Sequence, residues 1–324
     1  MLVLVTGASG FVGSLLVPRL LGAGYGVRAL GRNREHTEEV LEQHLDAEQV
    51  EVVRGDALRG EGLDRALDGV EVAYYLIHSM EPAAAGSPSF ADRERLAAEN
   101  FAAACARAGV ARVVYLGGLM PASEERPIAG SSRAALVSRH LASRAQVERI
   151  LLGAVPDSIG LRASIVIGAR SRSFRLLVRL VERMPVLALP AWRRFRTQPI
   201  DQRDVIEMLL ACAHAPLGGR SLDIAGPDVL TYGEMLTRIA DLMLVHRPTF
   251  SFGASFTPVA ARVAAAIAGE DPELVLPLME GLAGDLLPAE DRAAELLGVR
   301  LHSYESAVEH ALAEWEDFER LAAR

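Results

Sequence analysis

The first 21 residues constrain the fold more than any other stretch of the chain. Residues 1–6 form a short run of leucine, valine and threonine that is long enough for one buried parallel strand. Gly7, Gly10 and Gly13 follow at once, and apolar residues then resume at helical spacing. A strand, a glycine turn and a helix in this order predict a dinucleotide-phosphate cradle, because glycines let the backbone approach the pyrophosphate and the first helical N–H groups point at it.

The spacing of these glycines narrows the prediction. They stand three residues apart, whereas the common dinucleotide-binding pattern is G-x-G-x-x-G. In this form the segment Thr6-Gly-Ala-Ser-Gly-Phe-Val-Gly13 resembles the extended and atypical members of the short-chain dehydrogenase/reductase superfamily, including the NmrA-like group and the NADPH-binding accessory subunit of complex I. Residues 70–78 and 199–205 resemble further segments of these proteins, so the resemblance covers nearly the whole chain.

The resemblance implies an α/β fold with a Rossmann-type doubly wound parallel sheet and a smaller, mainly helical C-terminal subdomain that binds substrate. We place the NADP(H)-binding Rossmann domain at residues 1–167 and the substrate-binding subdomain at 168–324, with about residues 197–226 returning to the Rossmann body. Strands are predicted at 25–30, 50–53, 70–77, 112–116, 158–167 and 221–225, and helices at 90–108, 134–152 and 232–245. Thr231 and Glu234 predict a capping box for the last of these helices.

Two long segments, 120–132 and 168–196, follow strands at the carboxyl edge of the predicted sheet and are expected to border the substrate pocket. The second contains four arginines that share one helical face, opposite apolar residues. They are Arg172, Arg175, Arg179 and Arg183. This pattern is typical of a solvated face with a buried back, and a face that binds a membrane or an anion is the alternative.

Composition and charge limit the partners of the protein. A net charge of −8 and a pI near 5.6 argue against a nucleic-acid partner. The N-terminus enters the first strand without a basic lead-in, and the apolar stretch 250–269 is interrupted by Pro258 and Arg262. We therefore predict a cytoplasmic protein with no secretory signal and no integral membrane segment. Residues 250–269 are expected to form a pocket wall or a subunit contact. A homodimer is therefore one of the expected alternatives.

The chain contains no lysine, since all 34 of its basic residues are arginine. Mechanisms that need a lysine amine, such as a Schiff base or a P-loop lysine, are excluded. The two cysteines, Cys105 and Cys212, lie in alanine-rich helical runs and are predicted to be small buried residues without a disulfide. No metal site is predicted.

The residue that follows the second predicted strand bears on the choice of cofactor. An acidic side chain about 20 residues beyond the glycine turn binds the ribose 2′-hydroxyl of NAD(H), whereas an arginine accommodates a 2′-phosphate. Arg32 stands at this point and favours NADP(H) over NAD(H), with Asn33 beside it. The alternatives are a solvated arginine, or Arg34 sharing or replacing the role.

Two further predictions concern the ends of the next strands. The resemblance implies that Asp56, with its small neighbour Ala57, meets the adenine amine, although the same Gly-Asp pair is also typical of a turn with a helix cap. His78 ends the fourth strand, at the edge where open α/β sheets bind ligands. It either contacts the cofactor or substrate, or is a satisfied polar group.

The chain departs from the superfamily at the catalytic positions. The resemblance implies a serine near the end of the fifth strand, where Gly118 stands, and a Tyr-x-x-x-Lys pair on the next helix. None of the six tyrosines is followed four residues later by lysine or arginine. His140 and Arg144 occupy the helix instead, and because residues four apart share a helical face, we predict them as the catalytic pair. A solvated pair is the alternative.

The predicted cofactor site combines these positions with their neighbours in the resembled proteins. It consists of Gly7, Ser9, Gly10, Phe11, Val12, Gly13, Arg32, Asn33, Asp56, Ala57, Leu76, Ile77, His78, Gly117, Gly118, Arg144, Ala163 and Ile165. We interpret the chain as an NADP(H)-dependent oxidoreductase or isomerase that acts on a small, mostly apolar carbonyl or quinone-like substrate. The alternative is a binding protein that holds NADP(H) as a sensor or structural cofactor.

Overall fold

The computed structural model describes residues 1–45, 49–78, 89–120, 139–189, 191–251, 284–319 and 321. For residues 139, 140, 188, 191 and 251 it describes the backbone alone. Apart from Met120 and residues 250–251, the predicted pocket segment 120–132 and the apolar stretch 250–269 lie outside the described residues.

The strands are short and most of them are deeply buried. They are β1 (Leu2–Thr6), β2 (Gly26–Gly31), β3 (Glu51–Arg54), β4 (Val72–Tyr75), β5 (Arg112–Gly118), β6 (Ile159–Ala163), β7 (Val166–Ile167), β8 (Leu187–Leu189), β9 (Arg196–Thr197), β10 (Ile200–Asp201), β11 (Arg220–Ile224), β12 (Leu230–Thr231) and β13 (Thr249–Ser251). Seven of them form one parallel sheet in the order β3-β2-β1-β4-β5-β6-β11. The order reverses between β1 and β4, which is the doubly wound arrangement, so the predicted fold class is confirmed.

Helices cover both faces of this sheet and build the C-terminal part. They are α1 (Phe11–Gly22), α2 (Arg34–Glu42), α3 (Leu63–Leu67), α4 (Phe90–Ala108), α5 (Arg139–Ala154), α6 (Arg172–Arg183), α7 (Gln202–Ala211), α8 (Tyr232–Leu242), α9 (Ala293–Leu297) and α10 (Tyr304–Glu316), with a short 3-10 turn at Ala191–Arg194. The prediction for α4 is confirmed at both ends. Ser89 caps it by accepting a hydrogen bond from the Asp92 N–H, and Gly109 ends it at φ +69°.

The prediction of one continuous strand over 158–167 is wrong. The chain leaves the sheet after Ala163 because Ser164 is held by two other segments: its N–H donates to the Ile224 carbonyl at 3.2 Å, and its hydroxyl donates to the Gln198 carbonyl. The next residues form β7, which pairs in parallel with β10 rather than with the main sheet. This break brings residues 164–168 across the carboxyl edge of the sheet.

The segment predicted as a pocket border at 168–196 consists largely of α6, β8 and the 3-10 turn. The apolar side of α6 packs with α8 and α10, and Phe174, Val178 and Val181 are fully buried. The arginine side of α6 is covered in part by α10: the guanidinium of Arg175 lies 4.7 Å from the ring centroid of Trp315, and that of Arg179 lies 5.1 Å from it. Two of the four arginines on this face, Arg175 and Arg179, are therefore packed against α10.

The charge of Arg179 is balanced inside the protein, since this residue is buried and pairs with Glu182 and Glu319. Arg172 and Arg183 remain exposed. These contacts favour the interpretation of a helix with a buried back over that of a membrane-binding face. In the described part of the chain, no helix is long and apolar enough to cross a membrane.

The capping box at the start of α8 is confirmed, although the helix ends at Leu242 rather than at residue 245. The Thr231 hydroxyl accepts from the Glu234 N–H at 3.1 Å, and the Glu234 carboxylate accepts from the Thr231 N–H at 2.7 Å. We expect Thr231→Ala to lower the free energy of unfolding by about 1 kcal/mol, because it removes the acceptor of an otherwise orphaned N–H. Urea denaturation measures the change.

Thr237→Ala is the matched control for this variant. The Thr237 hydroxyl is exposed and donates to the Gly233 carbonyl within the same helix, so its loss leaves no helical N–H without a partner. If both substitutions changed the stability equally, the cap would have no particular role.

Candidate functional site

The glycine turn between β1 and α1 is built so tightly that two of its glycines leave no room for a side chain. Gly7 has φ +64°, and a Cβ placed on it would lie 2.9 Å from the Leu76 carbonyl oxygen. A Cβ on Gly13 would lie 2.3 Å from the Gly7 carbonyl oxygen and 2.8 Å from the Ala8 Cα. Helix α1 therefore begins in direct contact with the turn, as a nucleotide-binding turn requires.

The first turn of α1 is suited to an anion. Its N-cap, Gly10, is exposed and supplies no capping side chain, and the first helical turn contains no acidic residue. Ser9, Phe11 and Val12 beside it are half-buried. The free N–H groups and the positive end of the helix dipole thus fit the pyrophosphate of a dinucleotide.

At the end of β2, Asn33 and Arg34 have structural roles, and Arg32 is exposed. Asn33 caps α2, since its Oδ1 accepts from the His36 N–H at 3.1 Å. The Arg34 Nε donates to the Glu38 carboxylate at 2.7 Å, so its guanidinium is held along α2. Arg32 is exposed at the corner where β2 ends. The alternative in which Arg34 replaces Arg32 loses support.

Asp56 forms the turn that its sequence context suggested, and it keeps one oxygen for other contacts. Its Oδ1 accepts from the Leu58 N–H at 2.8 Å, while its Oδ2 lies 3.9 Å from the Arg59 Nε. Asn100 on α4 clamps the same turn by donating to the carbonyls of Ala57 and Leu58 at 2.9 and 3.0 Å. Asp56 can therefore form this turn through Oδ1 and still contact adenine through Oδ2.

Helix α5 and the end of β4 bring three polar side chains together. The Arg144 Nη1 lies 2.6 Å from the His78 Nδ1, and the Arg144 Nε lies 3.8 Å from the Glu94 Oε2. Arg144 and Glu94 are 6% and 3% exposed, whereas His78 is exposed. The Arg144 Nη1 also lies 3.1 Å from the His78 Nε2, and the Ile77 carbonyl oxygen lies 2.8 Å from the His78 Nδ1. Because a guanidinium only donates and a carbonyl only accepts, the imidazole lies between a donor and an acceptor. Leu76 is buried and Ile77 half-buried beside this cluster.

Glu94 was missed in the sequence, although a signal for it exists. It falls on the apolar stripe of α4 that contains Ala97, Ala98 and Phe101, and all four are buried. A carboxylate on a buried stripe must find a cation, because an unpaired buried charge is costly. The pattern of α4 thus implies a basic partner, but only the tertiary structure shows that it is Arg144.

Two glycines, Gly117 and Gly118, end β5, and only the first has no room for a side chain. A Cβ on Gly117 would lie 2.7 Å from the Tyr115 ring, so this position requires glycine. A Cβ on Gly118 would lie 3.8 Å from the Leu141 side chain, an ordinary contact. Gly118 pairs in register with Ala163, and half-buried Ile165 follows at the same edge. The absence of a serine at 118 is therefore not imposed by space.

Tyr115 cannot stand in for the tyrosine of the superfamily. Its ring is buried, and burial raises the pKa of its phenol to about 12, against the opposing effect of the Arg144 cation. Its hydroxyl donates to the Arg144 carbonyl at 3.4 Å. The phenol therefore stays protonated near neutral pH and faces the backbone of α5.

The remaining predictions concern His140, the two cysteines and the absence of a metal site. His140 lies in the first turn of α5, one turn before Arg144, but its side chain lies outside what the structure describes. Both cysteines are free and buried, and burial raises the pKa of each thiol to about 12. Among the described side chains, no cluster of His, Cys, Asp or Glu could hold a metal ion.

Comparison with known proteins identifies the dinucleotide-binding part. Residues 7–154 match a family model described as NAD(P)H-binding. A 3 beta-hydroxysteroid dehydrogenase/Delta 5-->4-isomerase of Mycobacterium tuberculosis is 35% identical over 119 residues, which are 35% of this chain and 30% of that protein. Dihydroflavonol 4-reductase of Hordeum vulgare is 39% identical over 82 residues, or 24% of this chain and 23% of that protein. The chain thus matches a third or less of the length of these relatives.

Solved structures share the fold along the whole chain. The crystal structure of gox2253 has a TM-score of 0.74 at 21% identity, covering 99% of both chains. UDP-glucuronic acid 4-epimerase from Bacillus cereus, solved with UDP-glucuronic acid and NAD, has a TM-score of 0.71 at 16% identity and covers 98% of this chain and 100% of its own. At these identities the likeness shows the fold alone.

Proposed function

We propose that the protein is an NADP(H)-dependent oxidoreductase or isomerase of the short-chain dehydrogenase/reductase type, since residues 7–154 match a family model described as NAD(P)H-binding and the fold is shared with solved structures. Its substrate is a small, mostly apolar carbonyl or quinone-like compound. The observation that carries this proposal is the cluster of His78, Arg144 and Glu94 at the carboxyl edge of the sheet, on the side of the glycine turn. Arg144 places α5 at this edge, His140 lies one helical turn before Arg144, and an imidazole is the side chain best suited to exchange protons near neutral pH.

Each part of the site has a stated task in this proposal. The glycine turn and the N-terminus of α1 bind the pyrophosphate, Asp56 binds the adenine amine, and Arg32 binds the 2′-phosphate. The bound nicotinamide supplies or accepts the hydride. His140 exchanges a proton with the substrate oxygen, directly or through a water. Arg144 binds the ribose and, through its contact with His78, orients the end of β4.

The printed names of two relatives support the class of substrate. One is a dehydrogenase and isomerase of a hydroxysteroid, and the other is a reductase of a dihydroflavonol. Both names describe oxidation or reduction at a ring-bearing molecule. UDP-sugars, which occur with three of the similar solved structures, are the competing class.

A second function is favoured by one observation. Arg144 is buried and already contacts His78 and Glu94, and Gly118 replaces the expected serine, so the site could hold NADP(H) without turning over a substrate. A panel of apolar ketones, quinones and UDP-sugars, followed through the absorbance of NADPH, separates the two functions. Turnover of ketones or quinones supports the first function. Tight NADPH binding without any turnover supports a sensor or structural role, and no binding contradicts both.

The preference for NADP(H) is tested by titration calorimetry. We expect the wild-type protein to bind NADPH at least about tenfold more tightly than NADH, because a charged hydrogen bond to the 2′-phosphate contributes about 1.5–3 kcal/mol. Arg32→Ala should remove most of this difference by weakening NADPH alone. Arg34→Ala is the control, since the Arg34 guanidinium is held by Glu38. Equal affinities in the wild type, or an NADH preference that survives Arg32→Ala, would refute the assignment.

A further inference from the structure

A second arginine stands at the same corner of the sheet as Arg32. Arg54 is the last residue of β3, and it pairs in register with Gly31, the residue that immediately precedes Arg32. Arg54 is exposed. Within the ranges that the structure describes, its side chain makes no hydrogen bond and no ion pair. Arg54 is thus an exposed cation at the end of β3 whose side chain has no partner among the described residues.

The direction of the Arg54 side chain follows from the alternation along β3. Val52, two residues earlier, packs in the same cluster as Leu16 of α1 and Leu41 of α2, whereas Val53 packs with Leu63 of α3 on the other face. Since side chains two apart in a strand share a face, Arg54 leaves the sheet on the side of α1 and α2. This is also the side of the glycine turn.

Gly31 supports the same placement. Residues in register on parallel strands point to the same face, and a Cβ on Gly31 would lie 2.1 Å from the Thr37 hydroxyl of α2. The Thr37 side chain fills the space over Gly31, so Arg54 leaves the sheet on the face that α2 covers, next to the corner where Asn33 begins this helix. In Asp56, the nearest carboxylate along the chain, Oδ1 accepts from the Leu58 N–H and Oδ2 lies 3.9 Å from the Arg59 Nε.

We propose that Arg54 is a second determinant of cofactor specificity, which binds the 2′-phosphate of NADP(H) from the β3 side while Arg32 binds it from the β2 side. This inference rests on the proposed NADP(H) preference. Two guanidinium groups suit a phosphate dianion because each offers paired N–H donors in a planar fork. A contact of Arg54 with the adenine ring would instead strengthen NADPH and NADH alike.

The test compares both cofactors and two fragments in the same variants. Arg54→Ala should weaken NADPH about tenfold and leave NADH within about twofold, because only NADPH has the 2′-phosphate. Adenosine 2′,5′-bisphosphate should lose the same factor, and 5′-AMP should not change. Arg54→Lys should fall between, since lysine keeps the charge without the fork. Arg65→Ala is the control for charge: Arg65 is an exposed arginine of α3, and its carbonyl lies beside Arg28 in the middle of β2.

Three outcomes would overturn the inference. If Arg54→Ala weakened NADPH and NADH equally, Arg54 would contact the adenine or ribose rather than the 2′-phosphate. If it changed neither cofactor while the wild type still preferred NADPH, Arg32 would act alone and the proposed function would stand. If the wild type showed no preference for NADPH, both this inference and the proposed cofactor would fail. An unchanged melting temperature verifies that the exposed substitution leaves the fold intact.

Discussion

Gly13→Ala is expected to abolish dinucleotide binding and to destabilise the protein by about 3 kcal/mol. The new methyl group would lie 2.3 Å from the Gly7 carbonyl oxygen and 2.8 Å from the Ala8 Cα. Both are backbone atoms that cannot rotate away, so α1 must shift off the turn that holds the pyrophosphate. Chemical denaturation measures the stability, and calorimetric titration with NADPH measures the binding.

The same helix supplies the control for this prediction. Gly22 is the last residue of α1, and a Cβ on it would meet nothing within 4 Å. Gly22→Ala should therefore leave binding unchanged and raise the stability by no more than about 1 kcal/mol, through the better helix propensity of alanine. Wild-type stability and affinity in Gly13→Ala would contradict the tight turn.

A third variant separates binding from folding if Gly13→Ala fails to fold. Gly10 is exposed and has an extended backbone conformation, and a Cβ on it would lie 3.1 Å from the Gly7 carbonyl oxygen. This contact needs only a small adjustment. Gly10→Ala should therefore stay folded while it weakens NADPH, because its methyl group occupies the approach to the helical N–H groups. A folded Gly10→Ala protein with full affinity would place the pyrophosphate elsewhere.

His140→Ala is expected to lower turnover by about 100-fold on a substrate found in the panel, because proton transfer by a positioned side chain contributes about 100- to 10,000-fold. The affinity for NADPH should stay the same, since the imidazole acts on the substrate oxygen. The pH dependence of kcat should also lose one ionisation. Full turnover in His140→Ala would remove this residue from the mechanism.

His78→Ala and His214→Ala complete this experiment. His78 is the imidazole that contacts Arg144, so a larger loss in His78→Ala than in His140→Ala would transfer the proton-exchanging role to the end of β4. His214 is exposed and packs against Tyr25, just before the amino end of β2, far from the carboxyl edge of the sheet. Its replacement should leave turnover unchanged.

The role of Arg144 in cofactor binding is tested by replacing it together with Glu94, because the two buried side chains form an ion pair. Arg144→Ala alone leaves the Glu94 carboxylate buried without its cation, which costs about 3–5 kcal/mol. Arg144→Leu combined with Glu94→Leu removes both charges, so a loss of NADPH affinity in this protein reports the contact to the cofactor rather than unfolding. Unchanged affinity would leave Arg144 a purely structural role.

Local signals in the sequence were sufficient for the elements that depend on a few neighbouring residues. The glycine turn, each end of α4 and the capping box of α8 were predicted from residues no more than six positions apart, because backbone conformation and helix caps are set at short range. The doubly wound sheet was expected from the family resemblance that the glycine turn and residues 70–78 and 199–205 carry. The roles of His140, Asp56 and Arg32 stay predictions, as do the domain boundaries.

Only the tertiary structure decided which distant residues meet. The sequence placed His140 beside Arg144 because they are four apart, whereas packing also brings Arg144 to Glu94 and His78, 50 and 66 residues away in the chain. It likewise ended β6 at Ala163 through bonds to Gln198 and Ile224, and set Arg54 beside Gly31. Strand register and buried charge pairs depend on how whole elements pack, and that information is spread over the entire chain rather than held in any one segment.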